Sequence, residues 1–380
     1  MINIPQSPTA WKSYLKILAI LALLYLFLVS IGLIGSAFKG LGRNFAEQLI
    51  QSSAAPIVGL FIGILATSLI QSSSTTTSLI VGMVAAGTFG DDPRVALAAA
   101  IPYIMGANIG TSITNTIVSL GHIVRKNEFQ QAFAASIVHD FFNLMSVCIL
   151  FPIQLKTNFI GHSAYWLAEK FIGTETVTFN SPIKMITKPA VHWITDLCQY
   201  QHLINPFWLV LVLALVMLFL ALKYLTTVIR SLVIARLEAF FDTHIFKTWV
   251  RAMFFGVAIT VMVQSSSITT SLVVPLAGAG ILTLQQIFPY TLGSNIGTTI
   301  TAILASLVSA TIAPVSVAFA HLLFNIFGIL VIWPIPAVRQ FPMKLATYFS
   351  SLAVKNRIFP LLYVIIVFFI IPISLIFIAR

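Results

Sequence analysis

Residues 71–78 read Gln-Ser-Ser-Ser-Thr-Thr-Thr-Ser, an unbroken run of hydrogen-bonding side chains between the apolar stretches GLFIGILATSLI and LIVGMVAAG. A hydroxyl buried in hydrocarbon without a partner is costly, so this cluster must face water, protein or a ligand. Two readings compete. Ser and Thr can bond back to the preceding turn and serve as small packing residues. Alternatively, the run forms a polar hairpin tip whose amides, hydroxyls and helix N-terminus face an anion. Its recurrence at 264–271 as QSSSITTS favours the second reading. The motifs GANIGT (106–111) and GSNIGT (293–298) supply the complement. Two glycines bracketing an Asn within an apolar run predict a broken helix, and broken backbone at membrane depth must be buried in protein or line a cavity. Freed carbonyls with Asn, Ser and Thr oxygens would make an oxygen-only site suited to Na⁺. Neither motif block contains Lys, Arg, Asp or Glu. An anion held there by neutral groups is expensive in low dielectric, and cations binding alongside would offset that cost, so the two would favour each other by linkage.

The elements that must position these motifs follow from composition. Apolar residues make up 58% of the 380 residues and charged residues only 8%, far below the roughly one quarter of a soluble domain. Runs such as 14–38, 205–222 and 357–378 approach or exceed the roughly 20 residues that cross hydrocarbon. They are too continuous for the alternation of barrel strands, so the expected fold class is an all-α polytopic membrane protein. The first run lacks a small-residue cleavage site and reads as a retained helix. The net charge of +11 sits largely in short loops, where it sets orientation and carries no nucleic-acid signal. Cys148 and Cys198 lie far apart and make no disulfide framework.

The chain is an internal duplication. LIQSSSTTTSLIVGMVAAG (69–87) recurs as MVQSSSITTSLVVPLAGAG (262–280), IPYIMGANIGTSITNTIVSL (101–120) as FPYTLGSNIGTTITAILASL (288–307), and SIVHDFFNLMSVCILFPI (136–153) as AFAHLLFNIFGILVIWPI (318–335). The order is preserved, with small length changes near 91–94 and 125–126. The expected organisation is an N-terminal tail (1–14), a first repeat (15–155), an amphipathic interfacial connector (156–203) with Trp166 and Trp193 at headgroup level, a second repeat (204–336), and a connector with a final helix (337–380). If each QSSS pair is a re-entrant hairpin, each half crosses three times and the repeats are inverted. Most of the 21 Lys and Arg then fall in inner loops when the N-terminus is inside, and the C-terminus lies outside. His139 and His321 match, each four residues before an Asn. A packed histidine bonded between helices weighs more than a proton or anion contact at either position. Asp140 faces Leu322 in the second half, so it breaks the symmetry. No His, Cys and carboxylate grouping has metal-ligand spacing.

The doubled QSSS, MGANIGTSITNTIV, GSNIGTTITAILA, VHDFFN and WPIP together resemble the type II sodium-dependent phosphate cotransporters and their bacterial relatives. The resemblance runs from about Leu15 onward and includes IKMITKP at 183–189. It implies Na⁺-driven import of inorganic phosphate by alternating access. By that resemblance phosphate falls to Ser72, Ser73, Ser74, Thr75, Ser265, Ser266 and Ser267. Sodium falls to Gln71, Asn108, Thr111, Gln264, Ser265, Ser294, Asn295, Thr298 and Thr301, with His139, Asp140 and His321 as modulators. The partners would be phosphate, Na⁺ and the bilayer, with no cofactor beyond the coupling ion and no nucleic acid. The connector lacks the glycosylated, disulfide-bonded loop of animal members, which points to a bacterial inner membrane. Rival readings are a Na⁺-coupled carrier of another oxyanion or dicarboxylate, an anion channel and a membrane enzyme. The enzyme is disfavoured because no base stands beside the hydroxyls within the motifs.

Overall fold

The computed structural model describes residues 10–41, 55–172, 182–200, 205–237, 245–309 and 311–379. Residues 1–9 of the expected tail lie outside this set. The described residues form helices and no strand. In chain order these are α1 (Ala10–Leu41), α2 (Pro56–Ile70), α3 (Ser73–Ala85), α4 (Pro93–Gly110), α5 (Ile113–Ser119), α6 (Lys126–Thr157), α7 (Phe159–Ile172), α8 (Pro182–Gln199), α9 (Pro206–Leu237), α10 (Trp249–Val263), α11 (Ser266–Gly278), α12 (Leu284–Ser306), α13 (Ile312–Ile332), α14 (Pro336–Lys355) and α15 (Phe359–Ile378).

Local chemistry sets the boundaries. Pro56, Pro93 and Pro336 open their helices, where the missing N–H costs nothing. Asp92 caps α4 by accepting from the backbone N–H of Arg94 and Val95. Thr283 and Gln286 form a capping box at the start of α12. In α15 the turn over Ile366–Ile370 widens to a π-turn. Pro372, just beyond it, offers no N–H, and its ring would crowd the carbonyl of Phe368 in a regular helix.

Among the described residues five helical segments are long and apolar enough to cross a membrane: Tyr14–Ile34, Pro93–His122, Lys126–Thr157, Ile312–Ile332 and Phe359–Ile378. Large apolar side chains stand exposed on α1 (Tyr14, Leu18, Leu21), α9 (Val212, Val216, Phe219) and α15 (Ile366, Ile370, Phe377), the surface a bilayer would cover. Helices α1 and α9 pack along each other, and the motif-bearing helices pack among themselves. In the connector, α7 packs on α13 and α8 on α1, with Trp166 and Trp193 both exposed.

The two halves repeat locally. The first arm of each hairpin packs on the following motif helix of its own half, α2 on α4 and α10 on α12. The second arm also reaches the other half, α3 touching α12 and α13, and α11 touching α5 and α6.

The expected broken helix is found only in the first half. There α4 stops at Gly110 and α5 resumes at Ile113. In the second half α12 runs through GSNIGT without interruption, which corrects the expectation of a break there. The glycines have a different physical role. A Cβ on Gly106 would strike the carbonyl of Leu60, and one on Gly293 would strike the carbonyl of Met253. Gly110 and Gly297 leave only 2.7 Å from such a Cβ to the Ile64 carbonyl and the Thr260 Cβ. Gly63 and Gly256 make the reciprocal approach from α2 and α10. These are small-residue seams that let backbones touch, a packing device of membrane helices.

Candidate functional site

The site is built on two turns of nearly the same shape. Helix α2 ends at Gln71, whose φ of 57° and ψ of 28° are left-handed, and its N–H reaches the Thr67 carbonyl. Gln264 ends α10 with φ 56° and ψ 26°, bonded to the Thr260 carbonyl. Ser72 and Ser265 follow in extended conformation and cap the next helix, accepting from the backbone N–H of Thr75 and Ile268. A left-handed helix end ordinarily takes Gly, because a side chain there costs about 1–2 kcal/mol. Among the described residues only Gln71, Asn158 and Gln264 hold a positive φ without being glycine, and the two Gln stand at matched places of the repeat, where a use for the side chain is to be sought.

For Gln264 the use is visible. Its Nε2 donates to the Val261 carbonyl at 2.6 Å, and its Oε1 accepts from the Thr301 hydroxyl at 2.7 Å. The second tip is thereby docked on α12. Gln71 stands exposed. The backbone N–H groups of Ser73 and Ser74, and of Ser266 and Ser267, begin α3 and α11, so each tip presents the positive end of a helix.

The polar run divides in two. The Ser residues hold the tip, whereas the Thr hydroxyls bond back into their own helix: Thr76 to the Ser72 carbonyl, Thr77 to Ser73, Thr269 to Ser265 and Thr270 to Ser266. The packing reading thus describes the second half of each run. Thr270 and Ser271 also donate to Asn115 Oδ1 of α5, both at 2.9 Å, joining the halves.

Of the other sequence-derived residues, Ser294 shares a 2.8 Å bond with Thr260, Thr298 bonds the Ser294 carbonyl and Thr111 the Ala107 carbonyl. Asn108 donates to the Ile104 carbonyl. Asn295 is engaged at both ends of its amide, its Oδ1 with His139 Nε2 and its Nδ2 with Asn143 Oδ1. Asn143 in turn donates to the Asn108 carbonyl. Only Thr301 thus meets Gln264 directly, while Asn295 belongs to a buried chain with His139. His139 is a histidine bonded between helices of the two halves, and His321 has neither ring nitrogen partnered.

Among the described residues Asp140 is the only buried Asp, Glu, Lys or Arg, and Tyr363 of α15 donates to its Oδ2 at 2.8 Å. Tyr363→Phe removes that donor, so the expected loss is about 1–3 kcal/mol, read as a lower thermal midpoint in detergent. Adding Asp140→Asn in the same background should recover most of it, since a neutral amide tolerates the missing bond better. Asn115, Asn143 and Tyr363 were not singled out from sequence as site residues. Asn115 has Ala302 as its counterpart, so the repeat could not flag it, and Tyr363 lies outside both repeats.

These features define a polytopic helical membrane protein whose two halves meet through buried Asn, Thr, Ser and His side chains. The Na⁺/Pi-cotransporter family matches residues 26–177 and 217–356, and the chain belongs to that family. It is 32% identical to sodium-dependent phosphate transport protein 2B of Homo sapiens over 94% of this chain and 64% of that protein, and equally to the 2B protein of Pongo abelii. It is 33% identical to sodium-dependent phosphate transport protein 2A of Mus musculus over 96% of this chain and 67% of that protein. The chain thus spans about two thirds of the length of these relatives. No solved structure matches it.

Proposed function

We propose that the chain is a secondary active transporter that imports inorganic phosphate with Na⁺ by alternating access between two inverted repeats. The observation that carries this reading is the pair of left-handed Gln-Ser turns, each opening a helix N-terminus whose own residues bear no charge. Phosphate would take the N–H groups and hydroxyls of Ser73, Ser74, Ser266 and Ser267 together with the capping Ser72, Ser265 and Thr75. Sodium would take hard oxygens, foremost Gln264 Oε1 and the Thr301 hydroxyl, which already stand 2.7 Å apart. The names of the relatives supply the substrate pair.

The hairpin arms support re-entry. Helices α2 and α10 have 15 residues and α3 and α11 have 13, about 22 and 20 Å at 1.5 Å per residue, against roughly 30 Å of hydrocarbon. With paired re-entrant hairpins the repeats are inverted and the binding groups lie near the midplane. A bacterial cytoplasmic membrane is the proposed location.

Reconstitution in liposomes tests the reading. Labelled phosphate should accumulate with an inward Na⁺ gradient and not when K⁺ replaces Na⁺. Uptake indifferent to Na⁺ would indicate a channel, and no phosphate uptake would indicate another oxyanion or a dicarboxylate. The division of the polar run adds a finer test. Ser73→Ala and Ser266→Ala should fall below a tenth of wild-type uptake, whereas Thr77→Val and Thr269→Val, which lose only back-bonds, should keep more than half.

A further inference from the structure

The repeat gives each polar contact a potential mirror; the contacts within the hairpins are made in both halves, but along the buried Asn and His chain only one member is made. His139 bonds Asn295, Asn295 bonds Asn143, and Asn143 bonds the Asn108 carbonyl. The mirror chain would run from His321 to Asn108, from Asn108 to Asn325, and from Asn325 to the Asn295 carbonyl. None of it is present. Asn325 Nδ2 donates to the His321 carbonyl and Asn108 Nδ2 to that of Ile104, each within its own helix. Both ring nitrogens of His321 and the Oδ1 of Asn325 are buried without a partner. The tips show the same asymmetry. Thr301 bonds Gln264, whereas its counterpart Thr114 has a buried, unpartnered hydroxyl and Gln71 is exposed.

Buried polar groups are normally paired, and those of His321, Asn325 and Thr114 fall where the mirror chain would supply partners, while His139 Nδ1, Asp140 Oδ1 and Ser146 Oγ of α6 are unpartnered as well. Helices α6 and α13 pack on each other and carry the matched residues. His139, Asn143 and Ser146 on one face match His321, Asn325 and Gly328 on the other, and a Cβ on Gly328 would lie 2.7 Å from Ser146 Oγ. Two bonds without mirror counterparts hold the present arrangement: Tyr363 to Asp140, opposite Leu322, and Thr270 with Ser271 to Asn115, opposite Ala302.

We propose that the transport cycle exchanges one hydrogen-bonded chain for its mirror, and that His321, Asn325 and Thr114 are positioning residues that meet Asn108 and Gln71 only in the opposite-facing state. This rests on the inverted-repeat, alternating-access reading above. The present state docks the second hairpin on α12 through Gln264 and ties α12 to α6 through Asn295. The opposite state docks the first hairpin on α5 through Gln71 and ties α4 to α13 through Asn108. Asn108 and Asn295 each give a carbonyl to one set and a side-chain amide to the other, so in this proposal it is the shift of α4 and α12 between the states that exchanges the sets, as the two-state element that alternating access requires.

Two cavities at opposite ends of α12 give the readout. One of about 540 Å³ lies beside Gly280, Leu282 and Thr347, and the other of about 480 Å³ beside Gln199, Phe207 and Ser309. In a background with Cys148 and Cys198 replaced by alanine, spin-label pairs at Ile281→Cys with Thr347→Cys and at Gln199→Cys with Ser309→Cys report opening at each end. Asn325→Ala should raise the ratio of the present to the opposite state at least threefold, and Asn143→Ala should lower that ratio at least threefold. If Asn143→Ala fails to fold, His139→Phe breaks the same chain. Shifts in the same direction, or distance distributions identical to wild type in both variants, would overturn the exchange. Wild-type phosphate uptake, measured separately, tells the two proposals apart. Na⁺-driven uptake without opposed shifts removes only the exchange, and opposed shifts without uptake remove only the phosphate reading.

Discussion

Gln264→Gly is expected to abolish Na⁺-driven phosphate uptake while leaving the thermal midpoint nearly unchanged. The side chain occupies a left-handed position that costs it about 1–2 kcal/mol relative to Gly. It also makes two hydrogen bonds, each worth about 1 kcal/mol net. Glycine removes both terms, and they nearly cancel. Function does not share that cancellation. Gln264 Oε1 joins the tip to Thr301 of α12, beside the bond from the Tyr290 hydroxyl of α12 to the Thr269 carbonyl, and without it the proposed sodium contact is lost and the hold of the hairpin on α12 weakened. Gln71→Gly sharpens the contrast. Its side chain is exposed, so the same backbone relief comes with less loss, and the midpoint should rise by a degree or more while uptake again disappears. Thermal unfolding in detergent and liposome uptake on the same preparations check both statements. A Gln264→Gly protein that transports at half the wild-type rate would remove Gln264 from the site.

What could be read in the residues, and what could not, follows from the range of each signal. The QSSS turns were legible because a polar run inside apolar flanks is a local anomaly and its recurrence gives it a partner. The helical class was legible because 58% apolar content and long continuous runs leave few alternatives. The GSNIGT break was misread because glycine has two uses with the same local appearance. It loosens a helix, or it lets another backbone approach, and only the neighbouring Met253 carbonyl decides between them. The Thr residues of the run were grouped with the Ser for a similar reason. Back-bonding depends on where the helix starts, and the cap at Ser72 or Ser265 is a three-dimensional fact. Contacts such as Tyr363 with Asp140 join residues more than 200 positions apart, beyond any pattern within one repeat.

Gly106→Ala and Gly293→Ala are expected to be the most damaging single-methyl changes in the chain, and Gly121→Ala among the least. Each of the first two glycines faces a backbone carbonyl of the adjacent hairpin arm, Leu60 or Met253. A carbonyl within a helix cannot rotate aside as a flexible side chain can, so the added methyl must push whole helices apart. Overpacking of this kind costs about 1–3 kcal/mol where side chains can yield, and more is expected where only backbone stands in the way. Separation also breaks what the seam aligns. α12 carries Thr301 toward Gln264 of α10, so a shift of half an ångström at Gly293 weakens the 2.7 Å bond that docks the second tip. Transport should therefore fail in Gly293→Ala even where detergent extraction still yields monodisperse protein. Gly121 has nothing within 4 Å of the added atom, and its alanine variant should match wild type in both midpoint and uptake. Fluorescence-detected size exclusion over a temperature ramp, with uptake on the same samples, ranks the three. If Gly293→Ala and Gly121→Ala melt together, the close-packed seam between α10 and α12 does not exist as described.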